Sequence, residues 1–127
     1  MLYSELNGLQ LAYLGDAVIE LMTRRRLLES GERDIGRLNE LARKFVTATS
    51  QSDALENILP VLTEEEASVY RRGRNAHTAT VPKSASAGQY RRATGMESLF
   101  AYLYLKGDDE RLRMLFDAAF GPAEKSE

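Results

Sequence analysis

The hydrophobic pattern is densest between Leu9 and Leu28, where apolar residues occupy most of a helix circumference up to Met22. A helix that is apolar on nearly all sides belongs inside a protein, so this pattern predicts a buried helix. Two acids interrupt it, Asp16 and Glu20, and their spacing of four residues places both on one helical face. Because a buried carboxylate is costly unless it is paired, hydrogen-bonded or bound to a metal, the sequence predicts a partner for Asp16.

Apolar residues also recur at spacings of three and four in most of the remaining chain, and no segment shows sustained period-two alternation. We therefore predict an all-α fold with a single domain over residues 1–127 and an irregular tail from about residue 121. A second nearly continuous apolar surface runs from about Gln89 to Lys106, and Gly107 is expected to end that helix. Polar residues typical of helix N-caps mark the predicted starts of the other helices: Asn7, Asp34, Thr49 or Ser50, Thr63 and Asp108.

Residues 75–88 are small, hydroxylated or proline and carry no helical apolar stripe, so they predict one long loop. Loops of this length in a compact domain are usually functional or disordered. The segment 67–96 around it contains six basic residues and no Asp or Glu, although the whole chain has a net charge of −2. Such a local excess of positive charge favours a polyanionic partner, and the alternative is a solvated charged face.

The amino-acid composition limits the kinds of active site that this chain could form. The chain is 43% hydrophobic and 28% charged, has no cysteine and has a single histidine, His77, with no evident proton-transfer partner in the sequence. No apolar run is long enough to span a membrane and no signal peptide is evident, so a cytoplasmic location is expected. A metal ion would have to be held by oxygen ligands, which favours Mg²⁺, with Mn²⁺ able to substitute.

Glu97 is the counterpart of Asp16 on the second apolar helix. If the two helices pack together, the two carboxylates converge on one divalent cation that could orient a phosphodiester and activate water. The alternative is that both acids are structural and pair with nearby arginines, of which four are available: Arg24, Arg25, Arg91 and Arg92. Glu20 is ambiguous, since it could be a further metal ligand or could brace Arg24 at the i, i+4 spacing.

Two arginine-rich segments, Tyr70-Arg-Arg-Gly-Arg-Asn75 and Tyr90-Arg-Arg-Ala-Thr94, flank the predicted loop. Arginine binds phosphates in a bidentate manner, while asparagine and tyrosine can contact sugar and backbone oxygens. We predict that these residues, with the loop entering a groove, bind a polyanion, and the family resemblance described next implies that it is RNA: Arg71, Arg72, Arg74, Asn75, Lys83, Arg91 and Arg92.

These motifs are familiar in combination. The segment Tyr13-Leu-Gly-Asp-Ala-Val-Ile-Glu20 resembles the signature of the ribonuclease III family, and Arg92–Leu105 resembles its second acidic motif. The Tyr70–Asn75 segment, the short length and the lack of a double-stranded-RNA-binding domain resemble the Mini-ribonuclease III branch. The resemblance implies that Asp16 and Glu97 are both catalytic and both bind the metal ion.

Two departures from the longer enzymes of the family bear on the metal. Ala12 and Thr94 stand where those enzymes have further acids. The branch that this chain resembles also lacks these acids. The number of metal ions and the remaining ligands therefore stay open, with waters, RNA phosphates and Glu20 as candidates.

The resemblance further implies a magnesium-dependent homodimer that cuts both strands of double-stranded RNA. In the branch, the substrate is the precursor of large-subunit ribosomal RNA, and a ribosomal protein is a candidate helper. Two alternatives stay open: a non-catalytic RNA-binding protein of the same fold, and an all-α nucleotide pyrophosphohydrolase. The latter class typically gathers several closely spaced glutamates on one helix, which this sequence lacks.

Overall fold

The computed structural model describes residues 3–76 and 85–123. Within these ranges the chain forms six α-helices, two short 3₁₀ turns and no strand, which confirms the all-α prediction. In these ranges no helix is both long and apolar enough to cross a membrane. The helices are α1 (Gly8–Glu29), α2 (Ile35–Val46), α3 (Ala48–Leu55), α4 (Glu64–Arg74), α5 (Ala87–Lys106) and α6 (Asp109–Phe120), and the 3₁₀ turns are Tyr3–Glu5 and Leu59–Val61.

The helix starts follow the capping residues of the sequence. Asn7 forms a capping box with Gln10 at the start of α1, and Thr63 forms one with Glu66 at the start of α4. The predicted caps Asp34 and Asp108 also accept hydrogen bonds from the backbone of their helices. Each cap satisfies an amide that the first helical turn leaves without a partner.

Two predicted boundaries were wrong. The N-cap of α3 is Thr47, whose hydroxyl accepts from the amide of Ser50 at 3.1 Å, rather than Thr49 or Ser50. Helix α5 begins at Ala87, not near Gln89, because Ser86 and Gln89 form a capping box that was missed within the run of small residues. The predicted loop 75–88 is therefore too long at its end, and its central residues 77–84 lie outside the described part of the chain.

Helix α5 is the centre of the fold. It contacts α1, α3, α4 and α6, and its residues from Ala93 to Met96 and from Ser98 to Leu103 are buried. Tyr104, expected on the same core surface, is about half exposed. Gly107, with a φ of 78°, ends the helix in the left-handed conformation that favours glycine.

Helix α1 has two different faces, which corrects the prediction of a helix buried all round. Leu11, Val18 and Ile19 point into the core, whereas Tyr13 is 87% exposed and Leu21 66% exposed. Asp16 lies on the exposed side. The apolar pattern indicates more apolar surface than one monomer core readily covers, but it does not show which residues stay exposed.

Candidate active site

Helices α1 and α5 cross at a glycine. A Cβ atom added to Gly15 would lie 1.7 Å from the carbonyl oxygen of Glu97, a distance at which no side chain fits. The absence of a side chain at residue 15 therefore lets the two backbones touch. Asp16 follows this contact on α1 and Glu97 forms it on α5, so the predicted convergence of the two acids occurs in the structure.

The carboxyl groups of Asp16 and Glu97 are within hydrogen-bonding distance of each other. Burial, together with the hydrogen bond to Asp16 and the charge of that residue, raises the pKa of Glu97 to about 9. At neutral pH Glu97 therefore keeps its proton when no cation is present. Two adjacent acids held in this way by the fold are an attractive place for a divalent cation, which would replace the proton.

The donor set fits Mg²⁺ or Mn²⁺, since both carboxylates are hard oxygen ligands. In the described ranges no cluster of three or more Asp, Glu, His or Cys residues could hold a metal ion. The two positions at which the longer enzymes carry acids are buried here, and the hydroxyl of Thr94 donates to the carbonyl of Tyr90 at 2.9 Å. Asp16 and Glu97 would therefore hold the ion with water or substrate oxygens completing its coordination.

In the described ranges neither Asp16 nor Glu97 forms an ion pair, which leaves the alternative that both acids are structural and pair with arginines without support. Three of the four arginines proposed as partners pair with other acids. Arg24 pairs with Glu20 at 2.8 Å, Arg25 pairs with Glu29 at 2.8 Å, and Arg92 pairs with Glu56. Glu20 thus braces Arg24, the second of the two roles that its spacing allowed. It does not join Asp16 and Glu97 in a three-carboxylate cluster.

The predicted RNA-binding residues differ in their exposure and in the contacts that they make within the protein. Arg71, Arg72 and Asn75 are exposed at the end of α4, and Arg91 is exposed near the start of α5. Arg72 also donates to the carbonyl of Leu6 at 2.8 Å. These residues present positive charge and hydrogen-bond donors on the same two helix ends that the sequence singled out.

Two other basic residues are engaged within the fold. Arg74 stacks over the ring of Tyr70 and donates to the side chain of Asn75. Arg92 donates to Ser52 and forms an ion pair with Glu56, which ties α5 to α3. Lys83 and His77 lie outside the described residues.

Sequence reasoning missed most of the glycines at which the helices touch, although Gly73 is expected from the sequence either to let a backbone approach closely or to end its helix. Gly8, Gly15, Gly73 and Gly95 each lie where a Cβ would come within 3.0 Å of a neighbouring helix. Glycine inside a helical pattern is unfavourable by roughly 1 kcal/mol relative to alanine, so each was a signal of close helix packing.

Fold and site together define an all-helical protein that presents a pair of carboxylates where its two longest helices cross. The sequence matches the family described as "Ribonuclease III domain" over residues 9–108. Mini-ribonuclease 3 of Symbiobacterium thermophilum is 47% identical over 90% of this chain and 88% of its own length. Mini-ribonuclease 3 of Desulfitobacterium hafniense is 45% identical over 91% of this chain and 73% of its own.

A crystal structure of a Fusobacterium nucleatum protein superimposes on this fold with a TM-score of 0.79. It is 32% identical and covers 87% of this chain and 88% of its own. The chain therefore belongs to the ribonuclease III family, in its Mini-ribonuclease III branch, and is an endoribonuclease. This family assignment removes the reason to consider a nucleotide pyrophosphohydrolase.

Proposed function

We propose that the protein hydrolyses double-stranded RNA with Mg²⁺ held by Asp16 and Glu97. The observation that carries this proposal is the pairing of the two carboxyl groups at the glycine crossing of α1 and α5. Family membership supplies the reaction, hydrolysis of a phosphodiester that leaves a 5′-phosphate and a 3′-hydroxyl. A bound Mg²⁺ would contribute Lewis acidity and a water molecule of lowered pKa.

In this proposal the protein's own side chains hold the metal ion and contact the RNA phosphates. Asp16 is exposed and can reach a phosphate that approaches α1, whereas Glu97 is half-buried. Arg71, Arg72 and Arg91 are exposed and can offer guanidinium groups to the RNA phosphates. Because phosphate contacts dominate such binding, we expect affinity for duplex RNA to fall steeply as salt rises.

The exposed apolar face of α1 supports a homodimer. This face, which we call the α1 apolar face, consists of Leu9, Tyr13, Leu21 and Leu28. Exposed apolar patches of this kind commonly mark protein interfaces, and we propose that a second copy of the chain covers it. A Leu21→Glu variant should then dissociate to monomers in sedimentation velocity experiments, whereas a dimer that persists would count against this interface.

Within this substrate class we propose the precursor of large-subunit ribosomal RNA, cut at a base-paired stem in the cytoplasm, with a ribosomal protein as a candidate helper. The support is the likeness of Tyr70–Asn75 to the Mini-ribonuclease III branch. Cleavage of a stem from that precursor should be faster than cleavage of an unrelated duplex of equal length. Equal rates on both would contradict this choice of substrate.

The function itself is tested with an end-labelled RNA duplex, incubated with Mg²⁺ and then with EDTA. We expect cleavage that requires the metal and is lost in Asp16→Asn and Glu97→Gln. Binding of the duplex without cleavage would instead favour the non-catalytic alternative.

A further inference from the structure

Ser98 lies where three helices meet. It follows Glu97 on α5 and is 0% exposed. Its hydroxyl oxygen is 2.8 Å from the carbonyl oxygen of Gly8 on α1 and 3.0 Å from that of Thr94 on α5. Since a hydroxyl has one proton to donate, these two carbonyls share it, and the longer bond lies within its own helix. The shorter bond joins α5 to the first turn of α1.

Helix α4 closes the same junction from the third side. A Cβ atom at Gly73 would lie 2.2 Å from the hydroxyl oxygen of Ser98 and 2.9 Å from the Cα atom of Gly95. A Cβ atom at Gly8 would lie 2.7 Å from the carbonyl oxygen of Arg72. The backbones of α1, α4 and α5 therefore meet directly, with the hydroxyl of Ser98 as a buried polar group between them.

Each of these helices carries a different part of the proposed active site. Helix α1 carries Asp16, α5 carries Glu97, and the last turn of α4 carries Arg71 and Arg72. A functional constellation tolerates displacements of only about 0.5 Å before it loses efficiency. The relative placement of the three helices must therefore be held closely for two carboxylates to share one ion.

We propose that Ser98 is a positioning residue that holds α1 and α4 against α5 and thereby sets the separation of the Asp16 and Glu97 carboxylates. This inference rests on the metal site of the proposed function and extends it to a residue that touches neither metal nor RNA. Its action passes through the Gly8 carbonyl and the contact with Gly73, since both fix a neighbouring helix rather than Glu97 itself.

A matched variant separates positioning from simple stabilisation. Thr23 is also 0% exposed, and its hydroxyl donates to the carbonyl of Ile19 at 2.7 Å, a bond within α1 that joins no other helix. Ser98→Ala and Thr23→Val each remove one buried hydroxyl, so both should lower the melting temperature by a few degrees. Only Ser98→Ala removes a bond between helices.

The experiment measures Mn²⁺ affinity by electron paramagnetic resonance for the full chain, with melting temperature recorded without metal. Residues that orient metal ligands typically change affinity by 10–100-fold when altered, so we expect Ser98→Ala to weaken Mn²⁺ binding roughly 10-fold. Thr23→Val should bind Mn²⁺ as the wild type does. In Mg²⁺-dependent cleavage, Ser98→Ala should need a correspondingly higher Mg²⁺ concentration for half-maximal rate.

Wild-type Mn²⁺ affinity in Ser98→Ala, or an equal loss in both variants, would overturn the inference while leaving the proposed function standing. A wild-type protein that binds no Mn²⁺ would contradict the proposed function instead. If Ser98→Ala lacks the helical circular dichroism of the wild type, Ser98→Cys replaces it. The thiol is a weaker donor, so a loss of affinity that exceeds that of Thr23→Val is again the expected result.

Discussion

Two inward-facing glutamates, Glu66 and Glu97, have opposite surroundings. Glu66 is 5% exposed and receives two hydrogen bonds from Arg111, at 2.8 and 2.7 Å, and one from the amide of Thr63. The hydrogen bonds from Arg111 hold the pKa of Glu66 below its usual range despite burial. Burial, and then the facing carboxyl group of Asp16 in place of a cation, raise the pKa of Glu97 to about 9.

The contrast separates an acid that is neutralised within the fold from one that we propose binds a metal ion. Arg111 joins α6 to the start of α4 and to the carbonyl of Val61, so its pair with Glu66 is complete without any ligand. Among the described residues no cation pairs with Asp16 or Glu97, and in the proposed function an ion from solution would complete this pair. Four changes would break or sharpen this difference.

The largest effect is expected when the functional pair loses one charge. Asp16→Asn should lower Mg²⁺-dependent cleavage of an RNA duplex roughly 10³-fold or more, because the proposed metal loses one of two protein ligands. Single-turnover cleavage of end-labelled duplex is the measurement. Glu29→Gln, which removes an exposed acid from the same helix, should cleave normally, and an active Asp16→Asn would exclude the proposed role.

A methyl group at the helix crossing should separate the two acids. Gly15→Ala places a Cβ atom where the Glu97 carbonyl lies, so we expect a loss of about 3 kcal/mol or more in the free energy of unfolding. Urea denaturation measures it. Gly88→Ala is the control, since the nearest atom to its Cβ is the side-chain oxygen of Ser86 at 3.9 Å. Equal stability of the two variants would contradict the close packing.

Breaking the pair of Glu66 and Arg111 should have the opposite result: the protein should lose stability while the proposed metal ligands stay unchanged. Arg111→Met leaves Glu66 buried without its cation, which should cost about 3 kcal/mol of stability without changing the metal ligands. Because the pKa of Glu66 is lowered in the folded protein, its contribution is present above the ordinary pKa and is lost as the pH falls. Arg37→Gln, from the exposed pair with Glu40, should change stability by less than about 0.5 kcal/mol.

The smallest effect concerns the protein without metal. The unfolded chain releases the Glu97 proton near its ordinary pKa, whereas the folded protein holds it up to about 9. The contribution of Glu97 to the free energy of unfolding is therefore greatest at acidic pH. It declines as the pH rises from the ordinary pKa of a glutamate to about 9. Glu97→Gln should remove this slope and raise the melting temperature in EDTA at pH 8 by roughly 2–5 °C.

Adding Mg²⁺ should reverse that ranking, since only the wild type gains stability from binding the ion. Differential scanning calorimetry in EDTA and in Mg²⁺ makes the comparison. A Glu97→Gln variant that is less stable than the wild type in EDTA would show that the acid pair is not strained.

Much of this architecture could be predicted from local sequence. Asn7, Asp34, Thr63 and Asp108 mark four helix starts because capping depends on residues within one turn. The convergence of Asp16 and Glu97 was also predictable, since both acids interrupt apolar helices that had to pack on each other.

What could not be predicted depended on contacts between distant residues. Asp16 is exposed, and its exposure depends on which helices cover that face of α1, which periodicity does not report. The engagement of Arg92 with Ser52 and Glu56 depends on how α3 lies against α5. A run of basic residues indicates local positive charge, but it does not show which of these residues form contacts within the protein.

The crossing at Gly15 also has a consequence for the order of synthesis. Asp16 and Glu97 are about eighty positions apart, and neither α1 nor α5 alone brings two carboxylates together. A chain emerging from the ribosome exposes α1 first and cannot assemble the acid pair until α5 has left the exit tunnel and docked. A growing chain of this nuclease would thus stay inactive beside the RNA-rich machine that makes it until nearly the whole domain is available to fold.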